Sequence, residues 1–158
     1  MTDSLKKDSL PVEGRLAGID FGTRRVGIAV CDASQQLASP LDIYQRGSES
    51  DDAEYFRRLF DDESLVGLVI GLPVHASGEE SQKSHQARAF GQWLSQLAGI
   101  PVAFHDERYS TAQAEAVLGE ASLTSKQRKK RIDKVAAQFI LSAYLESARS
   151  TDGPGSLD

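Results

Sequence analysis

Apolar and polar positions change period several times along the chain, and each change marks an element. Leu16 to Asp20 is a short apolar run and Gly22-Thr23-Arg24-Arg25 forms a turn. Val26 to Val30 then alternates large and small residues with period two, so the three segments predict a β-hairpin. Leu37 to Tyr44 continues as a strand, but Pro40 cannot donate to a ladder, so the strand lies at an edge or begins after the proline. Asp51 to Glu63 places Tyr55, Phe56, Leu59 and Phe60 on one stripe of an acidic amphipathic helix. Leu65 to Leu72 is continuously apolar, as a strand covered on both faces of a parallel sheet must be. Ser81 to Ala98 carries Ala87, Phe90, Leu94 and Leu97 at helical spacing, Gly99 ends it, and Val102 to Glu107 returns to strand character.

Toward the C-terminus, Ser110 with Gln113 predicts a capped helix to about Ala121. Thr124 with Gln127 predicts a last helix ending near Arg149, its buried stripe being Ile132, Val135, Ala136, Phe139, Ile140 and Ala143. Residues 1–14 and 150–158 are polar and lack periodicity, which leaves 15–149 as one domain between two loose tails. A meander followed by helix, strand, helix, strand and two helices predicts an α/β domain: a mixed five-stranded sheet with helices on both faces. That order is similar to the ribonuclease H-like fold.

Composition narrows the setting. The chain has 158 residues, 40% hydrophobic and 26% charged, which suits one globular core. Its single cysteine, Cys31, excludes an internal disulfide and multi-cysteine metal sites, and is expected to be a packed core thiol in a reducing, cytoplasmic setting. No apolar run approaches the roughly 20 residues of a membrane helix, so no membrane partner is expected. The net charge of −5 argues weakly against nucleic acid, yet 126–134 holds six bases and one acid, a local +5. Lys126, Arg128, Lys129, Lys130 and Arg131 in that segment can hold phosphates or form the solvated face of a helix.

Three acids stand out. Asp20 ends an apolar strand before Gly22, and either caps a turn or serves a metal or phosphate site. Glu107 ends another strand, where strand alternation separates it from Asp106; it either pairs with Arg108 or joins Asp20. Asp133 interrupts the apolar start of the last helix, as an i,i+4 partner of Lys129 or as a third ligand. Spacings of 87 and 26 residues prove nothing alone, but phosphodiester hydrolysis with two divalent cations needs such a carboxylate cluster. Arg24 and Arg25 in the hairpin turn, Arg108 and His75 are candidate phosphate or substrate contacts. His75 and His85, with no cysteine near them, do not read as a zinc site. Trp93, on a helix, is expected to be partial core, and no single-strand stacking surface is evident.

Four ordered segments carry a resemblance: Gly18-Ile-Asp-Phe-Gly-Thr-Arg-Arg-Val-Gly-Ile-Ala-Val30, Ile70-Gly-Leu-Pro73, His105-Asp-Glu-Arg-Tyr-Ser-Thr111, and Asp133 through Leu145. From about Arg15 to Ala148 the chain resembles the YqgF (RuvX-type) family. Its members are described as Holliday junction resolvases or as nucleases that mature the 5′ end of 16S ribosomal RNA. The resemblance implies a ribonuclease H-like fold, catalytic and metal-binding carboxylates at Asp20, Glu107 and Asp133, and Mg²⁺ or Mn²⁺ as cofactor. It implies precursor 16S rRNA, branched DNA and the ribosome as partners of a monomer or homodimer. Asp20 and Glu107 are expected on neighbouring strand ends, faced by Asp133. The chain departs from the family at Val74-His75-Ala76-Ser77-Gly78, where an Asn is common, and at Lys130, where the related resolvase RuvC has a further acid. Asp-Phe-Gly-Thr also resembles the first phosphate loop of sugar kinases, but those need two such domains. A catalytically silent nucleic-acid-binding factor would keep the basic segment without needing the acids.

Overall fold

The computed structural model describes residues 10–73, 82–106 and 135–148. β1 (Arg15–Asp20) and β2 (Arg25–Cys31) form the hairpin, and β3 (Ala38–Gln45) pairs antiparallel with β2. β4 (Leu65–Leu72) and β5 (Val102–Asp106) add parallel strands, giving the sheet order β3-β2-β1-β4-β5. Pro40 thus sits in an edge strand, beside a register shift opposite Ile28 and Ala29, where its missing N–H costs the sheet little. β4 is internal and covered on both faces, as its unbroken apolar run requires.

The two faces of the sheet carry separate cores. Ala17 and Ile19 of β1, with Ile28, Leu68 and Ile70, pack against Phe56 of α1 (Glu49–Asp62) and Phe90 of α2 (Gln82–Ala98). Leu16, Ala29, Cys31, Val69 and Ala103 instead meet the last helix, α3, described over 135–148. Helices therefore cover both faces, as predicted. Gly18 lets α3 touch the sheet: a Cβ there would stand 2.7 Å from both the Ala137 carbonyl oxygen and Leu141 Cβ. Cys31 is a core thiol that accepts the Leu16 N–H at 3.2 Å, and burial raises its pKa. Among the described residues, no helix is long and apolar enough to cross a membrane.

Three expectations shift. α1 begins two residues early, at Glu49, because Ser48 and Asp51 form a reciprocal capping box. The buried face of α3 is Ala136, Ala137, Ile140, Leu141 and Leu145, whereas Val135, Phe139 and Ala143 are half-buried. Leu10, assigned above to a tail, is buried against Leu16 and Gly67, and Gln35 ties down the Pro11 and Gly14 carbonyls. A lone leucine in a polar segment gives no periodic signal, so its docking is a tertiary event. The helix predicted from Ser110 lies outside the described residues.

Candidate nucleic-acid site at the carboxyl edge of the sheet

β1, β4 and β5 run parallel and end at one edge of the sheet, and Asp20 closes β1 there. Strand alternation assigns side chains along that edge. Leu16 and Gly18 face α3, so Asp20, two residues further on, shares their face. Its partner on β2 is Gly27. On the other side Ile19 pairs with Ile70, one step before Gly71, and Gly71 pairs with His105 of β5. A residue without a side chain therefore flanks Asp20 on each neighbouring strand. In α/β sheets this carboxyl edge is where ligands bind.

A cavity of about 540 Å³ opens there, lined by Asp20, Gly22, Arg24, Arg25, Lys83 and Gln86 among others. Gly22 makes the hairpin turn tight enough to hold both arginines at the rim, since a Cβ would collide with the Arg25 carbonyl oxygen. Arg24 also accepts the Arg46 N–H at 2.8 Å, which anchors the turn to the end of β3. One carboxylate among three cations suits an anionic ligand whose charge a divalent cation bridges to Asp20. His105 is half-buried, and that burial lowers its pKa against the opposing pull of Asp106.

Of the predicted site residues, the described structure brings together Asp20, Arg24 and Arg25. Glu107, Asp133, His75, Arg108, Lys126, Arg128, Lys129, Lys130 and Arg131 lie outside the described residues. One geometric expectation changes, because β4 separates β1 from β5 and the two strands are not neighbours. Two strand spacings amount to roughly 9.5 Å. The choice between acids at the end of β5 keeps its basis: Ala103 faces α3, like Asp20, whereas Phe104 packs in the opposite core. Lys83, Gln82 and Gln86 were not singled out from the sequence. The i,i+4 spacing of the two glutamines on the first turns of α2 was the available signal. No group of three potential metal ligands occurs among the described residues.

A family model described as "RuvX: Holliday junction resolvase" matches residues 14–147. A relative from Rhodopirellula baltica is 41% identical over 148 residues, covering 94% of this chain and 86% of its own. One from Paracoccus denitrificans is 40% identical over 142 residues, covering 90% of each chain. Both are named "Putative pre-16S rRNA nuclease". Among solved structures, RuvC of Thermus thermophilus superposes with a TM-score of 0.52 at 14% identity, over 87% of this chain and 97% of that one. Fowlpox virus resolvase, solved with Holliday junction DNA, gives 0.52 at 12% identity over 85% and 98%. These likenesses establish the ribonuclease H-like fold.

Proposed function

Because the chain belongs to the RuvX family, we propose that it is a nuclease that hydrolyses phosphodiester bonds at the carboxyl edge of its sheet, maturing the 5′ end of 16S rRNA. The observation that carries the site assignment is Asp20, set between Gly27 and Gly71 at the mouth of a cavity rimmed by Arg24, Arg25 and Lys83.

The site is proposed to be completed by Glu107 and Asp133. Two features support this. Residue 107 follows directly on β5, and the alternation that turns Ala103 toward α3 would turn it to the side of Asp20. Ala137 packs on Gly18, and Asp133 lies four residues before Ala137 in sequence, a spacing that would be one turn if the helix extended that far, as Asp20 lies two residues after Gly18.

The donor chemistry fits a hard cation. Asp20 offers carboxylate oxygen at a cavity, with glycines rather than bulky side chains beside it. Asp20, Glu107 and Asp133 would hold Mg²⁺ or Mn²⁺, which would supply charge stabilisation and a lowered water pKa. Arg24, Arg25 and Lys83 neutralise the phosphate and fix its position. The segment from Lys126 to Arg131, with Arg108 and His75, extends that grip along the backbone, contacts that position the strand without reading its sequence.

The family description favours a second substrate, the four-way DNA junction. Resolving a junction needs two symmetric sites and hence a dimer, whereas trimming an RNA end needs one. Incubating the protein with precursor 16S rRNA and with a four-way junction in parallel, in Mg²⁺, separates the two. Cleavage of the RNA at its 5′ extension is the expected result, and cleavage of the junction alone would reverse the assignment.

A further inference from the structure

A second cavity, of about 350 Å³, adjoins the first on the α1/α2 side of the sheet, and Phe21 and Gln86 line both. Its walls are aromatic. Phe21 and Phe90 lie 5.1 Å apart between ring centroids, and Phe90 and Trp93 5.7 Å. The Arg46 guanidinium stands 5.5 Å over Phe21 and 5.0 Å over Phe90.

This arrangement is held rigidly. Asp52, 1% exposed, accepts from Arg46 Nε at 3.1 Å, from the Tyr44 hydroxyl at 2.8 Å and from the Gly47 N–H at 2.9 Å. Burial alone would raise the Asp52 carboxyl pKa, but these donors bring it below its usual value, so the carboxylate stays charged. With Nε fixed, the guanidinium plane is set before any ligand arrives. The same Arg46 is tied through its N–H to Arg24, at the rim of the candidate catalytic cavity.

We propose that this cavity receives an unpaired nucleobase of the strand whose phosphate lies at Asp20. The proposal rests on the nucleic-acid reading above and adds a subsite to it. Wall chemistry selects the occupant. The Arg46 charge is already paired with Asp52 and Glu49 adds a carboxylate, which disfavours a phosphate, while the guanidinium plane, backed by the buried Phe21 and Phe90 rings, and the half-buried Trp93 favour a neutral ring. Phe21 and Gln86, which line both cavities, place the base next to the phosphate site. The volume is at the small end of ligand pockets, which suits a single base.

Trp93 is the single tryptophan of the chain and lines this cavity, so its fluorescence reports occupancy. The full chain, in Ca²⁺ in place of Mg²⁺ so that a cation can occupy the site while cleavage is suppressed, is titrated with a short single-stranded RNA and with an abasic strand of the same length. The base-bearing strand should quench Trp93 saturably and bind about tenfold tighter than the abasic one, within the usual range for stacking a base on an aromatic side chain. Ala89→Phe, at an exposed position of α2 that lines the cavity, should abolish the quench and the tenfold difference while leaving abasic binding unchanged. Equal binding of the two strands by the wild-type chain would overturn the subsite while leaving the nuclease reading intact. A tenfold preference that survives Ala89→Phe would also overturn it. If neither strand binds, the subsite falls together with the nucleic-acid reading.

Discussion

The two edges of the sheet use the same residue type in opposite ways. Where the parallel strands begin, charge is consumed by the fold. Arg15 pairs with Glu63 at 2.7 Å, and Asp32 accepts from the Ser34 hydroxyl at 2.7 Å and from the Gln36 and Leu37 amides at 2.8 and 3.0 Å. Those bonds, the Leu37 amide first, hold the Asp32 carboxyl down at about 2. Where the strands end, Asp20 faces a cavity rimmed by three cations and is flanked by glycines. A carboxylate whose lone pairs are filled by its own turn serves the turn. One that lines a cavity at a strand's carboxyl end stands where α/β sheets bind ligands.

That contrast is open to attack by substitution. The largest effect is expected for Asp20→Asn, which keeps the shape and removes the charge. Calorimetric titration with Mn²⁺ should show affinity reduced by more than about a hundredfold, beyond the typical loss from an outer-shell partner, with thermal stability little changed. An unchanged titration would remove Asp20 from the metal set. Asp52→Ala should act on stability instead. It leaves the Tyr44 hydroxyl, the Gly47 amide and the Arg46 guanidinium without their buried acceptor, so denaturant unfolding should show a loss of about 3 kcal/mol. Gly18→Ala is expected to cost about 2 kcal/mol as α3 is pushed off the sheet. Because Asp133, proposed above to complete the site, precedes α3 by two residues in sequence, cleavage should fall as well, and a variant that loses stability but cuts at the wild-type rate would detach Asp133 from the site.

The smallest effect belongs to Asp32 and depends on pH. Its folded pKa is depressed from the ordinary 3.8 to about 2, so its contribution is fully present above the unfolded value and is lost as pH falls from there toward 2. Thermal melts of wild type and Asp32→Asn should therefore differ above pH 4 and converge toward pH 2. Curves that stay parallel would mean that the turn does not depend on the charge.

Much of the fold was legible because its signals are local. The unbroken run of β4, Pro40 in β3 and the aromatic stripe of α1 each follow from period and propensity within a few residues. What escaped was set by distant partners or by a local variation. Ser48 was missed because its capping box closes with Asp51, where a glutamate is the familiar signature. The α3 stripe was misaligned because the sheet, through Gly18 and Leu16, decides which residues are covered. At the site, Asp20 could be singled out because an acid in an apolar strand is locally anomalous. Gly27 and Gly71 beside it needed the strand register, and the Arg46, Phe21 and Phe90 contacts needed α1 and α2 packed on the sheet. The expected adjacency of β1 and β5 failed for the same reason, since sequence order does not show that β4 lies between them.

The assignment of phosphodiester cleavage to the carboxyl edge rests on Asp20. Its most direct test is single-turnover cleavage of precursor 16S rRNA in Mg²⁺ by the wild type, Asp20→Asn and Asp32→Asn, with the new 5′ ends mapped. Asp32→Asn should cleave at close to the wild-type rate at neutral pH and Asp20→Asn not detectably, although both are folded. Cleavage at the same ends and rate by Asp20→Asn would contradict it.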